Sequence, residues 1–101
     1  MPWTKACPAD IAPGECRGVV VGGENVAIFN LDGRFHATSN VCTHQFALLC
    51  DGYVDGGVIE CPLHQGRFDI RTGTAEGDPV TVPIKVYPIN VESGTVFLDV
   101  G

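Results

Sequence analysis

Two pairs of residues, Cys42 with His44 and Cys61 with His64, are the best candidates in this chain for metal chemistry. They form the motifs C-x-H and C-x-x-H with sixteen residues between them, and each offers one thiolate and one imidazole. Two matched arms of this kind predict one shared centre. Such a ligand set can hold a tetrahedral zinc ion, which has no redox chemistry, or a [2Fe–2S] cluster with Cys on one iron and His on the other.

The spacing of these ligands favours the cluster over zinc. Structural zinc sites usually take paired ligands that are two to four residues apart, and C-x-H is too tight for the common geometries. In a two-iron cluster each arm supplies one ligand to each iron, so the Cys and His of one arm need not converge on one atom. Neutral imidazoles on the outer iron also remove negative charge from it, which raises its potential.

Composition and charge narrow the class of protein. A chain of 101 residues with 45% apolar content predicts a single domain with one small core. The 6 basic residues are scattered among 12 acidic ones, so no basic stripe is available for nucleic acid, and the acidic balance favours a basic protein partner. Without a signal sequence or an apolar run of ~18 residues, we expect a cytoplasmic protein that does not bind membranes.

The chain reads as short strands separated by turns, and no window shows a helical period. An all-β fold is therefore predicted, a sandwich or small barrel with the two arms at one end. Val82, Ile84 and Val86 are expected to share one face, and a switch of apolar parity at Tyr87-Pro88 predicts a bulge or bend there. The predicted strands span residues 16–21, 25–31, 34–39, 53–54, 58–60, 67–70 and 95–100.

The other cysteines and the remaining histidine have simpler interpretations. Cys7, Cys16 and Cys50 lie in no motif with a partner, so we predict structural or surface thiols. His36 lies within a predicted strand and is expected to be an ordinary strand residue.

Residues 40–73, with both arms, resemble the Rieske-type [2Fe–2S] ferredoxins of bacterial ring-hydroxylating (aromatic) dioxygenase systems. The resemblance implies one Rieske cluster per chain. Its cluster-binding and metal-ligating residues would be Cys42 and Cys61 on the buried iron, and His44 and His64 on the outer iron near the surface.

The same resemblance implies a fold and a role. A single Rieske domain over residues 1–101 would be a β-sandwich or small barrel with an inserted cluster-binding subdomain at roughly 41–72. The protein would carry electrons from an NAD(P)H-dependent ferredoxin reductase to a terminal oxygenase through transient docking. It would not be an enzyme itself, because the mononuclear iron of Rieske oxygenases needs two further His and a carboxylate, and only His36 is left. The alternatives are a small Rieske subunit of another redox enzyme, such as nitrite reductase, or a zinc-stabilised binding module.

Departures from other Rieske branches predict a low potential. Respiratory Rieske proteins carry a disulfide between their two loops, but Ala47 and Leu63 occupy those positions here, so that bridge should be absent. Their serine and tyrosine hydroxyls near the cluster sulfurs correspond to Gly66 and Phe68. Without these hydrogen bonds the reduced cluster is less stabilised, and we expect about −150 mV.

Two surface features have open interpretations. Phe46, Leu48 and Leu49 either close the first loop over the cluster or form an exposed apolar tip for a partner. A group of acidic residues in the second half of the chain is either a solvated face or a docking surface. Its members are Asp51, Asp55, Glu60, Asp69, Glu76 and Asp78.

Overall fold

The protein is described by a computed structural model that covers residues 3–43, 47–63, 66–76 and 82–101. His44, Phe46, His64 and Asp78 lie outside these residues. The described part contains no α-helix, and it contains no helix long and apolar enough to cross a membrane. Its elements are β1 (Thr4–Pro8), β2 (Cys16–Val21), β3 (Glu24–Leu31), β4 (Arg34–Ser39), a 3₁₀ helix (Leu49–Asp51), β5 (Tyr53–Asp55), β6 (Val58–Glu60), β7 (Arg67–Asp69), β8 (Val86–Tyr87), β9 (Ile89–Glu92) and β10 (Thr95–Leu98).

The all-β prediction is confirmed, and the hairpin between β3 and β4 shows why it succeeds. Asp32 and Gly33 have positive φ values of 55° and 87°. These are the backbone conformations of a tight two-residue hairpin turn, and Asp-Gly is among the pairs that adopt them most readily. The alternating residues on either side then pair without interruption, from Leu31 opposite Arg34 to Val26 opposite Ser39.

The strands of the described residues form three antiparallel sheets, in the orders β2-β3-β4-β8, β1-β10-β9 and β5-β6-β7. Strand β3 is buried on both faces. Val26 and Ile28 join a core that includes residues of β1, β8 and β10. Ala27, Phe29 and Leu31 face the other way and form a second core with the small sheet β5-β6-β7 and with the ends of both predicted arms. The strand therefore links a structural core to the core beneath the candidate site.

The expected bend at Tyr87-Pro88 is the point where the chain passes from one sheet to another. Tyr87 on β8 pairs with β4, whereas Ile89 on β9 pairs with β10. Proline suits this position because it has no N–H to contribute to either ladder.

The shared face predicted for Val82, Ile84 and Val86 is wrong. Only Ile84 is buried, whereas Val82 and Val86 are 56% and 37% exposed. Residues 82–85 form no strand, because Ile84 instead donates a backbone hydrogen bond to the Gly73 carbonyl at 2.8 Å. Strand β1 was not predicted at all, since it is short, carries a bulge between Lys5 and Cys7, and is defined by its pairing with the distant β10.

The interpretation of Cys16 and Cys50 as thiols is also wrong. Their sulfurs form a disulfide that joins β2 to the 3₁₀ helix, with the two Cα atoms 5.4 Å apart. The partners are 34 residues apart in the chain, and only the folded arrangement of the sheet brings them within the range that a disulfide needs. Cys7 is a buried free thiol, as predicted.

Tyr87 generates a prediction for alkaline pH. Its hydroxyl donates a hydrogen bond to Glu24 Oε1 at 2.8 Å, and burial, reinforced by the Glu24 carboxylate, raises the pKa of Tyr87 to about 12. The unfolded chain loses this proton near pH 10, so stability is lost as the pH rises from about 10 to 12. In urea denaturation, Tyr87→Phe should flatten this decline of the unfolding free energy with pH. Tyr53→Phe, at a 67% exposed position, should retain it. Equal declines in both variants would contradict the assignment.

Candidate metal centre

The two motif cysteines meet in the second core. Cys42 follows β4 and Cys61 follows β6, and only 5% and 1% of their surfaces are exposed. Both are free thiols, and both belong to the same buried core. The fold thus joins the thiol halves of two motifs that are distant in sequence.

Burial raises the pKa of the Cys61 thiol above its ordinary value. The backbone N–H of Leu63, which donates to this sulfur, opposes the shift, and the neighbouring Cys42 adds to it. A thiol in this environment keeps its proton until a metal displaces it, because the bare thiolate is poorly solvated in an apolar core.

Asn40, where the first arm begins, forms hydrogen bonds to the residues where it ends. Its backbone carbonyl accepts a hydrogen bond from Leu49 N at 2.7 Å, and its Oδ1 accepts one from Cys50 N at 2.9 Å. Its Nδ2 donates to Asn25 Oδ1 at 3.0 Å, which ties the arm to the start of β3. Inside the arm, Cys42 N donates to the Ala47 carbonyl at 2.9 Å. Asn40 is only 3% exposed, so these bonds are shielded from water.

Asn40 is not among the functional residues predicted from the sequence. The available signal is its position, because a residue that hydrogen-bonds readily to nearby backbone stands two residues before Cys42, where β4 ends.

The second arm is the loop of a short hairpin. Glu60 on β6 pairs with Arg67 on β7, and Cys61 N donates to the Gly66 carbonyl at 2.6 Å. Phe68 is completely buried in the same core as Cys61, so this position offers packing and no hydroxyl.

Gly52 allows the two arms to approach each other. It follows the 3₁₀ helix at the end of the first arm, and a Cβ atom there would collide with the Glu60 carbonyl oxygen and lie 3.1 Å from Pro62 Cδ. The backbone φ of Gly52 is −94°, outside the left-handed region, so the close contact is what excludes a side chain.

The outer surface of the arms is partly apolar. Leu63 is 45% exposed and Leu48 38% exposed, whereas Leu49 is fully buried. Thr43 lies between the two motif residues of the first arm, and its hydroxyl donates to the Val82 carbonyl at 2.9 Å. The buried Leu49 therefore closes the first loop, whereas the exposed Leu48 is available as an apolar tip for a partner.

His36 lies on β4 opposite Phe29, as expected for an ordinary strand residue. Burial lowers the pKa of His36, and the charges of Arg71 and Arg34 lower it further. Part of the acidic group is paired with a cation, because Arg67 lies 3.3 Å from Asp55 and 3.8 Å from Glu60.

This arrangement fits the thiolate end of a metal cluster. Two buried thiols of one core stand where the two motif loops begin. Paired thiolates are the usual protein ligands of iron–sulfur sites. The fold and these thiols are those expected of a small, all-β protein that binds a metal cluster.

Comparison with known proteins identifies the family. Residues 2–88 match the model of the Rieske [2Fe-2S] domain, and the chain belongs to this family. It is 47% identical over 98 residues to the ferredoxin component of a naphthalene 1,2-dioxygenase system from Pseudomonas putida, covering 96% of this chain and 94% of that relative. It is 48% identical over 101 residues to the biphenyl dioxygenase ferredoxin subunit of Pseudomonas sp. (strain KKS102), covering 98% of this chain and 93% of that relative.

A solved structure shows the same fold. It is described as a complex of reduced oxygenase and oxidized ferredoxin in carbazole 1,9a-dioxygenase, and the matching chain superposes with a TM-score of 0.89 at 42% identity. The match covers 95% of this chain and 91% of that one. The resemblance to Rieske ferredoxins of aromatic dioxygenase systems is confirmed.

Gly52→Ala should disrupt the centre. The added methyl group pushes the foot of the first arm away from Glu60, and we expect a loss of about 2–3 kcal/mol in the free energy of unfolding, together with less than half the iron per chain. The matched control is Gly56→Ala in the β5–β6 turn. A Cβ there meets nothing within 4 Å, so this change costs only about 1 kcal/mol for its positive φ of 60°. Iron analysis and urea denaturation would contradict the prediction if both variants behaved alike.

Proposed function

We propose that this protein is a Rieske ferredoxin, a one-electron carrier between an NAD(P)H-dependent reductase and a terminal ring-hydroxylating oxygenase. The observation that carries the proposal is the near-50% identity, over almost the whole chain, to two ferredoxin components of dioxygenase systems. The buried thiol pair at the foot of the two arms supports it independently. The resident [2Fe–2S] cluster supplies reversible one-electron chemistry.

The proposed ligands are the four motif residues. Cys42 and Cys61 would hold the inner iron in the apolar core, where both thiols already lie. His44 and His64 would hold the outer iron of a single cluster per chain. Analysis of the purified protein should give two irons and two acid-labile sulfides per chain. A colourless protein with one zinc and no sulfide would instead establish a zinc-stabilised module.

The domain organisation and the location belong to the same proposal. Residues 1–101 would form one Rieske domain, in which residues 41–72 are the cluster-binding subdomain. The small sheet β5-β6-β7 lies entirely within that range, which supports the division. We place the protein in the cytoplasm, where NAD(P)H is available to its reductase.

The charge balance sets the potential. With two thiolates and two neutral imidazoles the oxidised cluster carries no net charge, so reduction adds one negative charge to an apolar environment. Phe68, which is buried in the same core as both motif cysteines, offers no hydroxyl to a cluster sulfur. Fewer donors leave the added charge less stabilised, which lowers the potential.

Voltammetry should therefore give a midpoint of about −150 mV, at the low end for Rieske centres. Phe68→Tyr, which introduces a hydroxyl in the core of the site, should raise it by tens of millivolts. Phe35→Tyr on β4, which packs against the other core, is the matched control and should leave it unchanged. A midpoint of +50 mV or higher in the unmodified protein would refute the low-potential assignment.

Electron delivery is the direct test of the function. The chemically reduced protein is mixed in a stopped-flow instrument with a purified aromatic-ring oxygenase and, separately, with the catalytic subunit of a nitrite reductase. We expect rapid reoxidation by the oxygenase alone. Rapid reoxidation by the nitrite reductase alone would establish the alternative, a small Rieske subunit of that enzyme.

Salt dependence tests how the partners meet. The chain has a net charge of −6, and Leu48 and Leu63 expose apolar surface on the arms. We expect the acidic surface to steer the encounter and the apolar tips to form a small, transient contact. The second-order rate constant should then fall as ionic strength rises. A rate that is independent of salt would show that docking is not electrostatic.

A further inference from the structure

The Cys16–Cys50 disulfide lies where the first cluster arm ends. Cys50 is in the 3₁₀ helix at the end of this arm, and Cys16 begins β2 on the neighbouring sheet. Among the described strands, β2 lies at the edge of its sheet and pairs with β3. The bond thus fastens the end of the arm to the edge of the four-stranded sheet.

Cys50 is held in two independent ways. Its backbone N–H donates to Asn40 Oδ1 at 2.9 Å, and its sulfur is bonded to Cys16. The hydrogen bond can break and re-form thermally, whereas the disulfide breaks only in a chemical reaction such as reduction. The covalent state of Cys50 therefore decides whether the foot of the arm is held by hydrogen bonds and packing alone.

The two disulfide residues are more exposed than the motif thiols. Cys16 and Cys50 are only partly buried, whereas Cys42 and Cys61 are almost completely enclosed. Cys50 lines a surface groove together with Gly18 and Asn40. A Cβ atom at Gly18 would lie 2.8 Å from Asn40 Nδ2, so a side chain there would narrow the groove.

We propose that the Cys16–Cys50 disulfide is a site of reduction by dithiols, and that its reduction loosens the first cluster arm. One thiolate of the reductant attacks either cysteine sulfur and expels the other cysteine as a thiolate. The second thiol of the reductant then attacks its own sulfur in the mixed disulfide and releases the remaining cysteine. The protein S–S bond breaks, a disulfide forms in the reductant, and two electrons and two protons pass to Cys16 and Cys50. The step needs only a dithiol, the class of reductant that keeps cytosolic disulfides transient.

Chemical labelling tests the site without reference to the cluster. Folded protein is treated with dithiothreitol or, in a separate sample, with a reduced thioredoxin, and is then alkylated and digested for mass spectrometry. We expect label on Cys16 and Cys50 in both samples and little on Cys42 and Cys61. Label with dithiothreitol alone would restrict the site to small dithiols. Label on Cys16 and Cys50 before any reductant, or on neither cysteine after both, would overturn the proposal.

The effect on the arm rests on the proposed cluster, and it is measured on the holoprotein. Reduction should lower Tm by about 10 °C or more and accelerate the loss of visible absorbance about tenfold. The double variant Cys16→Ser/Cys50→Ser should already show both effects and should no longer respond to the reductant. Cys7→Ser removes a buried cysteine that forms no disulfide, and it is the matched control. This variant should respond to the reductant like the unmodified protein.

The outcomes separate this inference from the proposed function. If the labelling succeeds but Tm and cluster loss do not change, the disulfide is reducible and the claim that it holds the arm is wrong. If the double variant cannot be purified, the dithiothreitol response of the unmodified protein decides the same question. If the protein holds no iron, the labelling result stands and the function fails by itself.

Discussion

The structure depends on one strand that is apolar on both faces. Residues of β3 supply alternate side chains to two cores, so that the sheet is covered on one face by β1, β9 and β10 and on the other by the small sheet and the arms. Continuous apolar runs are typical of strands buried on both sides. Because β3 cannot be left exposed, the arms must fold back over it. The core that contains Phe29 consequently also contains both motif cysteines.

Local chemistry made much of this architecture predictable. The strands β2 and β4 have the predicted bounds, because alternating residues meet strong turn signals such as Asp32-Gly33 at their ends. The two Cys-His motifs likewise indicated the family, since thiolate and imidazole at that spacing suit few metals. Fold class and family therefore followed from residues that act within a few positions of each other.

What the sequence could not predict depends on contacts between distant segments. The partner of Cys16 is 34 residues away, and β1 is a strand only because β10 lies beside it. Ile84 gave a misleading alternation, because its burial comes from a contact with Gly73 and not from a regular strand. Asn40 was overlooked for a related reason, since its importance lies in joining Asn25 to Cys50 across the fold.

The shared strand also bears on how the molecule opens. Two cores on separate elements could unfold one at a time, but here each contributes half of the side chains that bury β3. Melting either core exposes one face of the strand and weakens the packing of the other. The amide protons of β3, whose hydrogen bonds lie between β2 and β4, should accordingly be among the slowest in the molecule to exchange with solvent. The cluster core and the structural core are thus one cooperative unit, so a change that destabilises one core also destabilises the other.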